Sequence, residues 1–425
     1  MPQQPPTGGT SALGAGFNLV NTLIGSGILA LPYALREAGF YFGIFSLIFI
    51  AILGNISLNI LIYGGRRSGQ YKYESVSEAA LGRIGHYLLS FGLSVNSIGS
   101  CISYLIIVGD ITTVIVQNAF GVNVLTSREA VILVAAIGFT LPLLFFRTLE
   151  PLVKPSALSI FCLPVIVLIV AVRGPTYAPP EPTPTPVFGK SILPAIGVIA
   201  FAYACSQTAL QNYQTLKHKT LQQWHTATRF ASGTAAVIYI AFSVVSYRSF
   251  GFNTQPNLLN NFANDDALAN VARVLLAFTL TLTYPMQFYP VRDLFTSALG
   301  LSLDTTRASA VKFHTLSLLM FAGTVATALA VSDLGFVFKL IGTAASSLIV
   351  FLLPGTIYLR LVSPYTAKKA SIADESTALI EHDYTDDTSD IPEPSTTFWS
   401  VVVLAVGISV FFIGSWSTIN EYISS

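Results

Sequence analysis

The chain has 425 residues, of which 52% are hydrophobic and only 10% are charged. Soluble domains carry about 25% charged residues, so this composition argues against a soluble protein and indicates a polytopic membrane protein. A net charge of +1 also argues against nucleic-acid binding, which requires a basic face.

Apolar stretches of about 20 residues, enough to cross a bilayer as a helix, predict an all-α integral membrane protein with eleven transmembrane helices. With the N-terminus in the cytoplasm, fifteen lysines and arginines fall on the inner side and seven on the outer side, as the positive-inside rule requires. No signal peptide is expected, because the first residues lack a basic region. The predicted parts are a short cytoplasmic tail (1–10), five helices (11–173), a Pro-rich outer linker (174–190), five helices (191–361), an acidic cytoplasmic loop (362–396), and an eleventh helix with an outer C-terminus (397–425).

The first apolar stretch is interrupted in its middle by Gly25, Ser26 and Gly27, which allow the helix to unwind. Unpaired backbone groups persist at membrane depth only where they are buried in protein or line a watery cavity. Asn21 and Thr22 lie one turn earlier and add uncharged oxygen atoms. The pattern predicts a site for a zwitterion or a small cation; the alternative is a notch for close helix packing.

The third span carries polar residues at every third or fourth position, so they share one helical face. This face either lines a cavity or forms hydrogen bonds between helices. Its members are Asn96, Ser97, Ser100, Ser103 and Tyr104.

Asp110 lies near the outer end of the same span with apolar residues around it. A carboxylate inside the membrane is a candidate proton carrier. The alternative is an acid at the membrane interface that is solvated from outside.

The sixth span is interrupted by the polar run Ser206, Gln207 and Thr208, which follows Tyr203. Interrupted helices at corresponding positions of two halves indicate a transporter binding site near the bilayer midplane. The first and sixth spans occupy such positions.

The eighth span contains Thr279, Thr281 and Thr283, followed by Pro285 and Pro290. Threonine hydroxyls and carbonyls freed by proline would suit Na⁺, and Thr283 is the best candidate. Alternatively, Thr283 bonds only to its own helix, as hydroxyls inside helices often do.

The remaining sequence predicts no enzyme. We find no Ser–His–Asp arrangement, no metal-ligand spacing and no phosphate-binding loop, and the three cysteines, Cys101, Cys162 and Cys205, lie in apolar spans. The acidic stretch between 363 and 394 predicts a disordered tether that is available for regulation.

Five stretches resemble the amino acid/auxin permease family, and within it the vacuolar amino acid transporters and the sodium-coupled neutral amino acid transporters. They are specific as a set, although each alone is weak. The stretches are FNLVNTLIGSGILALPYALREAGF, YLIIVGD, FAYACSQTALQNYQTL, TYPMQFYPVR and FKLIGTAASSLIVFLLPGTIYL.

The resemblance implies two inverted five-helix repeats plus an eleventh helix, with the first and sixth helices unwound at the substrate. It implies that Asn21 and Thr283 help to hold a coupling sodium ion, and that main-chain groups from Thr22 to Gly27 hold the amino acid. Relatives often carry histidine where this chain has Ser206 and Gln207, so the coupling ion stays open between H⁺ and Na⁺.

The resulting hypothesis is a secondary active transporter of neutral amino acids that works by alternating access. The alternative is an amino-acid sensor with a cytoplasmic partner; a channel is disfavoured because no filter motif appears. We expect a monomer in the lipid bilayer, with no cofactor and no nucleic-acid partner, in a vacuolar or lysosomal membrane or, alternatively, the plasma membrane. The predicted substrate-binding residues are Thr22, Gly25, Ser26, Gly27, Tyr104, Tyr203, Ser206 and Gln207, and the ion-coupling residues are Asn21, Thr283 and Asp110.

Overall fold

The computed structural model describes residues 9–146, 150–299, 307–362 and 394–424. These residues form helices joined by short connections, with one isolated parallel β-bridge between Thr10 and Leu216. The α-helices are α1 (Ala12–Leu23), α2 (Leu31–Ala38), α3 (Phe40–Ser68), α4 (Tyr73–Leu81), α5 (Arg83–Phe120), α6 (Arg128–Ala135), α7 (Leu141–Leu144), α8 (Glu150–Arg173), α9 (Ile192–Ala202), α10 (Ser206–Thr215), α11 (Leu221–Phe250), α12 (Ala267–Ala298), α13 (Arg307–Ala330), α14 (Leu334–Leu340), α15 (Leu353–Leu361), α16 (Pro394–Ser409) and α17 (Ser415–Ser424).

Shorter helical segments connect several of these helices. The 3₁₀ segments are Ser26–Ala30, Val124–Thr126, Gly174–Tyr177, Gly251–Asn253 and Leu258–Asn261, and the π-helical segments are Ala136–Thr140, Ile341–Ser346, Leu348–Leu352 and Val410–Gly414.

Eight helices in the described part of the chain are long and apolar enough to cross a membrane, or nine if the bent pair α1 and α2 forms one span. The prediction of an all-α membrane protein is therefore confirmed, whereas the count of eleven helices stays a prediction. Most of the predicted acidic loop, residues 363–393, lies outside the described residues.

The first span is interrupted where the sequence predicted it. Ser11 begins α1 by accepting a hydrogen bond from the Gly14 amide (3.1 Å), a helix cap that serine commonly provides. The helix ends at Leu23, Gly25 is extended, and the segments on either side are bent by 55°.

The sixth span is interrupted three residues earlier than the polar run suggested. α9 ends at Ala202 and α10 begins at Ser206, so the polar run forms the first turn of α10. The Thr208 hydroxyl donates to the Cys205 carbonyl (3.0 Å). Polar side chains of this kind favour helix starts because they satisfy backbone groups there, so they mark the edge of the break.

The eighth span, α12, runs unbroken through Pro285 and Pro290 and packs on α5 and α8. The tenth span packs closely against α9 where two glycines meet. A Cβ built on Gly342 would lie 2.2 Å from the Gly197 backbone, so neither position leaves room for a side chain. This contact locks the first half of the sixth span to the tenth span.

Candidate functional site

The two helix breaks lie against each other. A Cβ built on Gly27 would lie 3.0 Å from the Ala202 Cα and 3.3 Å from its Cβ, so any side chain here would be tightly crowded against Ala202. The break in the first span therefore meets the break in the sixth, as expected for a paired site.

Tyr239 of α11 connects the breaks. Its side chain is fully buried, and its hydroxyl is within hydrogen-bonding reach of the Leu23 carbonyl and, at 2.9 Å, of the Ala202 carbonyl. These carbonyls belong to the last residues of α1 and α9. The Tyr203 ring packs edge-on against Tyr239, with ring centroids 4.9 Å apart.

The electrostatics of the breaks follow from the helix ends that meet there. The C-terminal ends of α1 and α9 present carbonyls, while the 3₁₀ segment at Ser26 and helix α10 at Ser206 begin nearby and present amides. Carbonyl ends attract cations and amide ends attract anions. One small region thus offers partners for both charges of a zwitterion.

α1 has one packed face and one open face. It packs on α11 and α10, while Leu13, Phe17, Asn18 and Asn21 are exposed. Thr22 is half-buried and its hydroxyl donates to the Asn18 carbonyl (3.0 Å). Asn21 therefore lies one turn before the break, and its side chain is not covered by another of the described helices.

The polar face of α5 is buried. Ser100 and Ser103 donate to carbonyls of their own helix, those of Asn96 and Gly99, at 2.7 and 2.9 Å. The Asn96 side-chain oxygen is buried and has no hydrogen-bond partner among the described residues. Tyr104 is also buried, so this face turns into the protein rather than toward lipid.

The predicted residues of the sixth span surround the break. Tyr203 caps the end of α9, and its buried hydroxyl has no hydrogen-bond partner within the described part of the chain. Ser206 is buried and Gln207 is half-buried, both in the first turn of α10. An orphaned buried hydroxyl costs free energy, which a bound polar group would recover.

Thr283 and Asp110 are engaged elsewhere. The Thr283 hydroxyl donates to the Thr279 carbonyl of its own helix (2.9 Å), and no hydrogen bond joins it to Asn21. The Asp110 carboxylate pairs with Arg128 (2.6 Å). It lines a surface cavity of about 240 Å³ together with Arg128 and Asn260. This geometry matches the alternative interpretation of each residue, and their ion-coupling role stays a prediction.

A charged cluster lies at the ends of the first, sixth and tenth spans away from the exposed face of α1, and it was not predicted from the sequence. The Lys339 amine lies 2.7 Å from a Glu37 oxygen and 2.9 Å from a Glu421 oxygen. Arg36 also pairs with Glu37 (2.7 Å), and Ser191 donates to Glu421 (2.7 Å). The cluster joins the first, sixth and tenth spans to the last helix.

Signals for these groups in the sequence are weak. Lys339 stands inside an apolar span, where a lone charge requires a partner. Tyr239 carried no local signal, because tyrosine is common in apolar helices.

These features define an integral membrane protein with paired discontinuous helices. The family described as transmembrane amino acid transporter protein matches residues 8–379, and the chain belongs to this family. The predicted resemblance is thereby confirmed.

Similar proteins carry transporter names. The chain is 31% identical over 360 residues to "Putative sodium-coupled neutral amino acid transporter 11" of Danio rerio, covering 83% of this chain and 80% of that one. It is 27% identical over 367 residues to vacuolar amino acid transporter 2 of Saccharomyces cerevisiae, covering 82% and 76%. A Na⁺-coupled sialic acid symporter, solved in a substrate-bound outward-open state, shares the fold with a TM-score of 0.54 at 11% identity, over 96% of this chain and 89% of that one.

Proposed function

We propose that the protein is a secondary active transporter that moves neutral amino acids across a membrane by alternating access, coupled to Na⁺ or H⁺. The observation that carries this proposal is the contact between the two helix breaks at Gly27 and Ala202. We propose accordingly eleven membrane helices, with residues 11–173 and 191–361 as inverted repeats followed by one further helix. Paired interrupted helices are typical of such transporters.

The amino acid would bind between the helix ends. Its carboxylate would accept hydrogen bonds from amides at the starts of the segments at Ser26 and Ser206, and its ammonium group would donate to carbonyls left free at the breaks. The unpartnered Tyr203 hydroxyl supports a polar contact at this point. Tyr104 and Gln207 would shape the pocket for the side chain. None of the proposed binding residues carries a formal charge, which favours a neutral substrate.

The coupling ion would bind beside the first break. Asn21 is exposed, and the Thr283 hydroxyl keeps lone pairs for a cation while it donates to Thr279. A sodium site would form when α1 approaches α12. For proton coupling, Asp110 would have to release Arg128 before it takes a proton.

The two sides of the breaks differ in a way that fits alternating access. The cluster around Lys339 ties one side together, whereas Asn18 and Asn21 of α1 are exposed on the other. Asparagine side chains are poorly placed in lipid, so this face fits a watery entrance. We infer a conformation open toward the N-terminal side.

Uptake by purified protein in liposomes tests this function. Labelled amino acids are supplied with either a sodium gradient or a pH gradient, and liposomes without protein serve as the control. Concentrative uptake under one gradient is expected and would identify the coupling ion. Binding without uptake under either gradient would instead support the sensor.

The membrane of residence is also a proposal. The yeast relative is named a vacuolar transporter, which supports a vacuolar or lysosomal membrane with the N-terminus in the cytoplasm. Co-localisation of the tagged chain with a vacuolar marker tests it, and staining confined to the plasma membrane would contradict it.

A further inference from the structure

The Tyr239 hydroxyl has two acceptors but only one proton. The Leu23 and Ala202 carbonyls both lie within its reach, and both residues end a helix at a break. A phenol donates one hydrogen bond at a time, so it alternates between these carbonyls or shares its proton between them.

We propose that Tyr239 is a positioning residue that holds the two breaks in register and withholds the Leu23 and Ala202 carbonyls from the substrate. This inference rests on the proposed transport function and adds to it a residue on a helix that is not itself broken. The substrate ammonium must then use other carbonyls of the breaks.

The surroundings of Tyr239 fix its position. The ring is fully buried, and Tyr203 packs against it from the sixth span. Gly27 and Ala202 are in contact at the same place, so a shift of either break would move it relative to the hydroxyl. The Leu23 carbonyl also accepts from the Gly25 amide (2.7 Å) and keeps that donor when the phenol is removed. The loss therefore falls mainly on the Ala202 carbonyl. A buried carbonyl that loses its donor is costly, and the breaks would move or take up water to satisfy it.

Tyr247 provides a matched control on the same helix. It is also fully buried, and its hydroxyl donates to the Pro184 carbonyl in the linker (3.0 Å) rather than to a break. Tyr239→Phe and Tyr247→Phe therefore remove the same atom from the same helix, but only the first change affects the breaks.

The experiment measures initial uptake rates in liposomes against substrate concentration. For Tyr239→Phe we expect KM to rise about tenfold, the effect of one lost buried hydrogen bond, while Vmax per inserted protein changes less. Tyr247→Phe should keep the parent KM. Replacement of Tyr239 by para-aminophenylalanine, whose amine can donate to both carbonyls, should restore the parent KM.

Each outcome decides the proposal. An unchanged KM in Tyr239→Phe, or an equal rise in Tyr247→Phe, would overturn it. If Tyr239→Phe does not reach the membrane, the para-aminophenylalanine variant decides: parent KM supports the proposal, and a raised KM refutes it. Absence of uptake by the parent chain would instead contradict the transport function itself.

Discussion

The Lys339 amine lies 2.7 Å from the Glu37 carboxylate, although 302 positions separate the two residues in the chain. This pair joins the tenth span to α2, the second half of the first span. Because Lys339 is largely buried, the ion pair acts where solvent screening is weak. We therefore expect it to restrain opening of that side of the site.

Replacement of Lys339 by Met should therefore favour a conformation that is open on the side of the Lys339 cluster. Loss of one partner from a buried ion pair costs about 3–5 kcal/mol, and we expect about 2 kcal/mol because Glu421 is partly exposed and Arg36 still pairs with Glu37. A membrane-impermeant maleimide added on the linker side should label a cysteine placed at Phe201 about thirtyfold faster in this variant, the ratio that about 2 kcal/mol corresponds to.

Lys190→Met is the control for that measurement, because Lys190 is an exposed lysine in the linker. The parent chain supplies the baseline, since Cys101, Cys162 and Cys205 are buried. Equal labelling rates in Lys339→Met and Lys190→Met would show that the cluster does not hold this side closed.

Gly27→Val should abolish uptake while the protein still enters the membrane. A Cβ at Gly27 already lies 3.0 Å from the Ala202 backbone, and backbone atoms cannot yield as a flexible side chain does. Gly54→Val is the comparison, because a Cβ at Gly54 meets nothing within 4 Å. Uptake assayed alongside membrane abundance should separate the two, and normal uptake by Gly27→Val would refute the site at this break.

Thr283→Val should raise the sodium concentration needed for half-maximal uptake about tenfold, with a smaller change in amino-acid affinity. Thr281→Val is a close control, since Thr281 also donates to its own helix, at the Ala277 carbonyl (2.8 Å). The two residues point in different directions around α12. Identical sodium dependence in both variants would remove Thr283 from the proposed ion site.

Asp266 should stabilise the loop before α12 at all but strongly acidic pH. Burial alone would raise the pKa of Asp266, but hydrogen bonds from Tyr177 and the Ala269 amide, together with Arg173, lower it to about 2. A carboxyl group with a lowered pKa stabilises the fold above its unfolded value of about 4, and this contribution is lost as pH falls toward 2. The Asp266 carboxylate therefore stays charged at the pH of an acidic organelle.

Two substitutions separate the charge of Asp266 from its helix cap. Asp266→Ala removes both and should lower the free energy of unfolding by about 1–2 kcal/mol, whereas Asp266→Asn keeps the cap and should lose less. Thermal unfolding of the purified protein between pH 7 and pH 5 measures this, with Asp265→Asn at an exposed neighbour as the control. A stability loss no greater than that of Asp265→Asn would contradict the assigned role.

The sequence predicted what depends on local composition. Gly25, Ser26 and Gly27 mark the first break because two glycines flanking a small polar residue lower the cost of interrupting a helix. The sixth break was displaced by three residues, because Ser206 and Thr208 are as compatible with a helix start as with a gap.

Long-range partners could not be read from one sequence. The hydrogen bond from Tyr239 to Leu23 spans 216 positions, and neither residue has an unusual neighbour in sequence. The π-helical segment at Ile341–Ser346 likewise lies where Gly342 closely approaches Gly197, a residue 145 positions earlier. Such features are set by which helices pack together, and hydrophobic periodicity does not specify this.

The β-bridge between Thr10 and Leu216 connects α1 to α10, which are one half of each interrupted span. The Thr10 amide donates to the Thr215 carbonyl (2.8 Å), and the Lys217 amide donates to the Thr10 carbonyl (3.0 Å). The start of α1 is thus strapped to the end of α10. A displacement of the chain before Thr10 would therefore act on both helices, and we expect α1 and α10 to move together rather than independently.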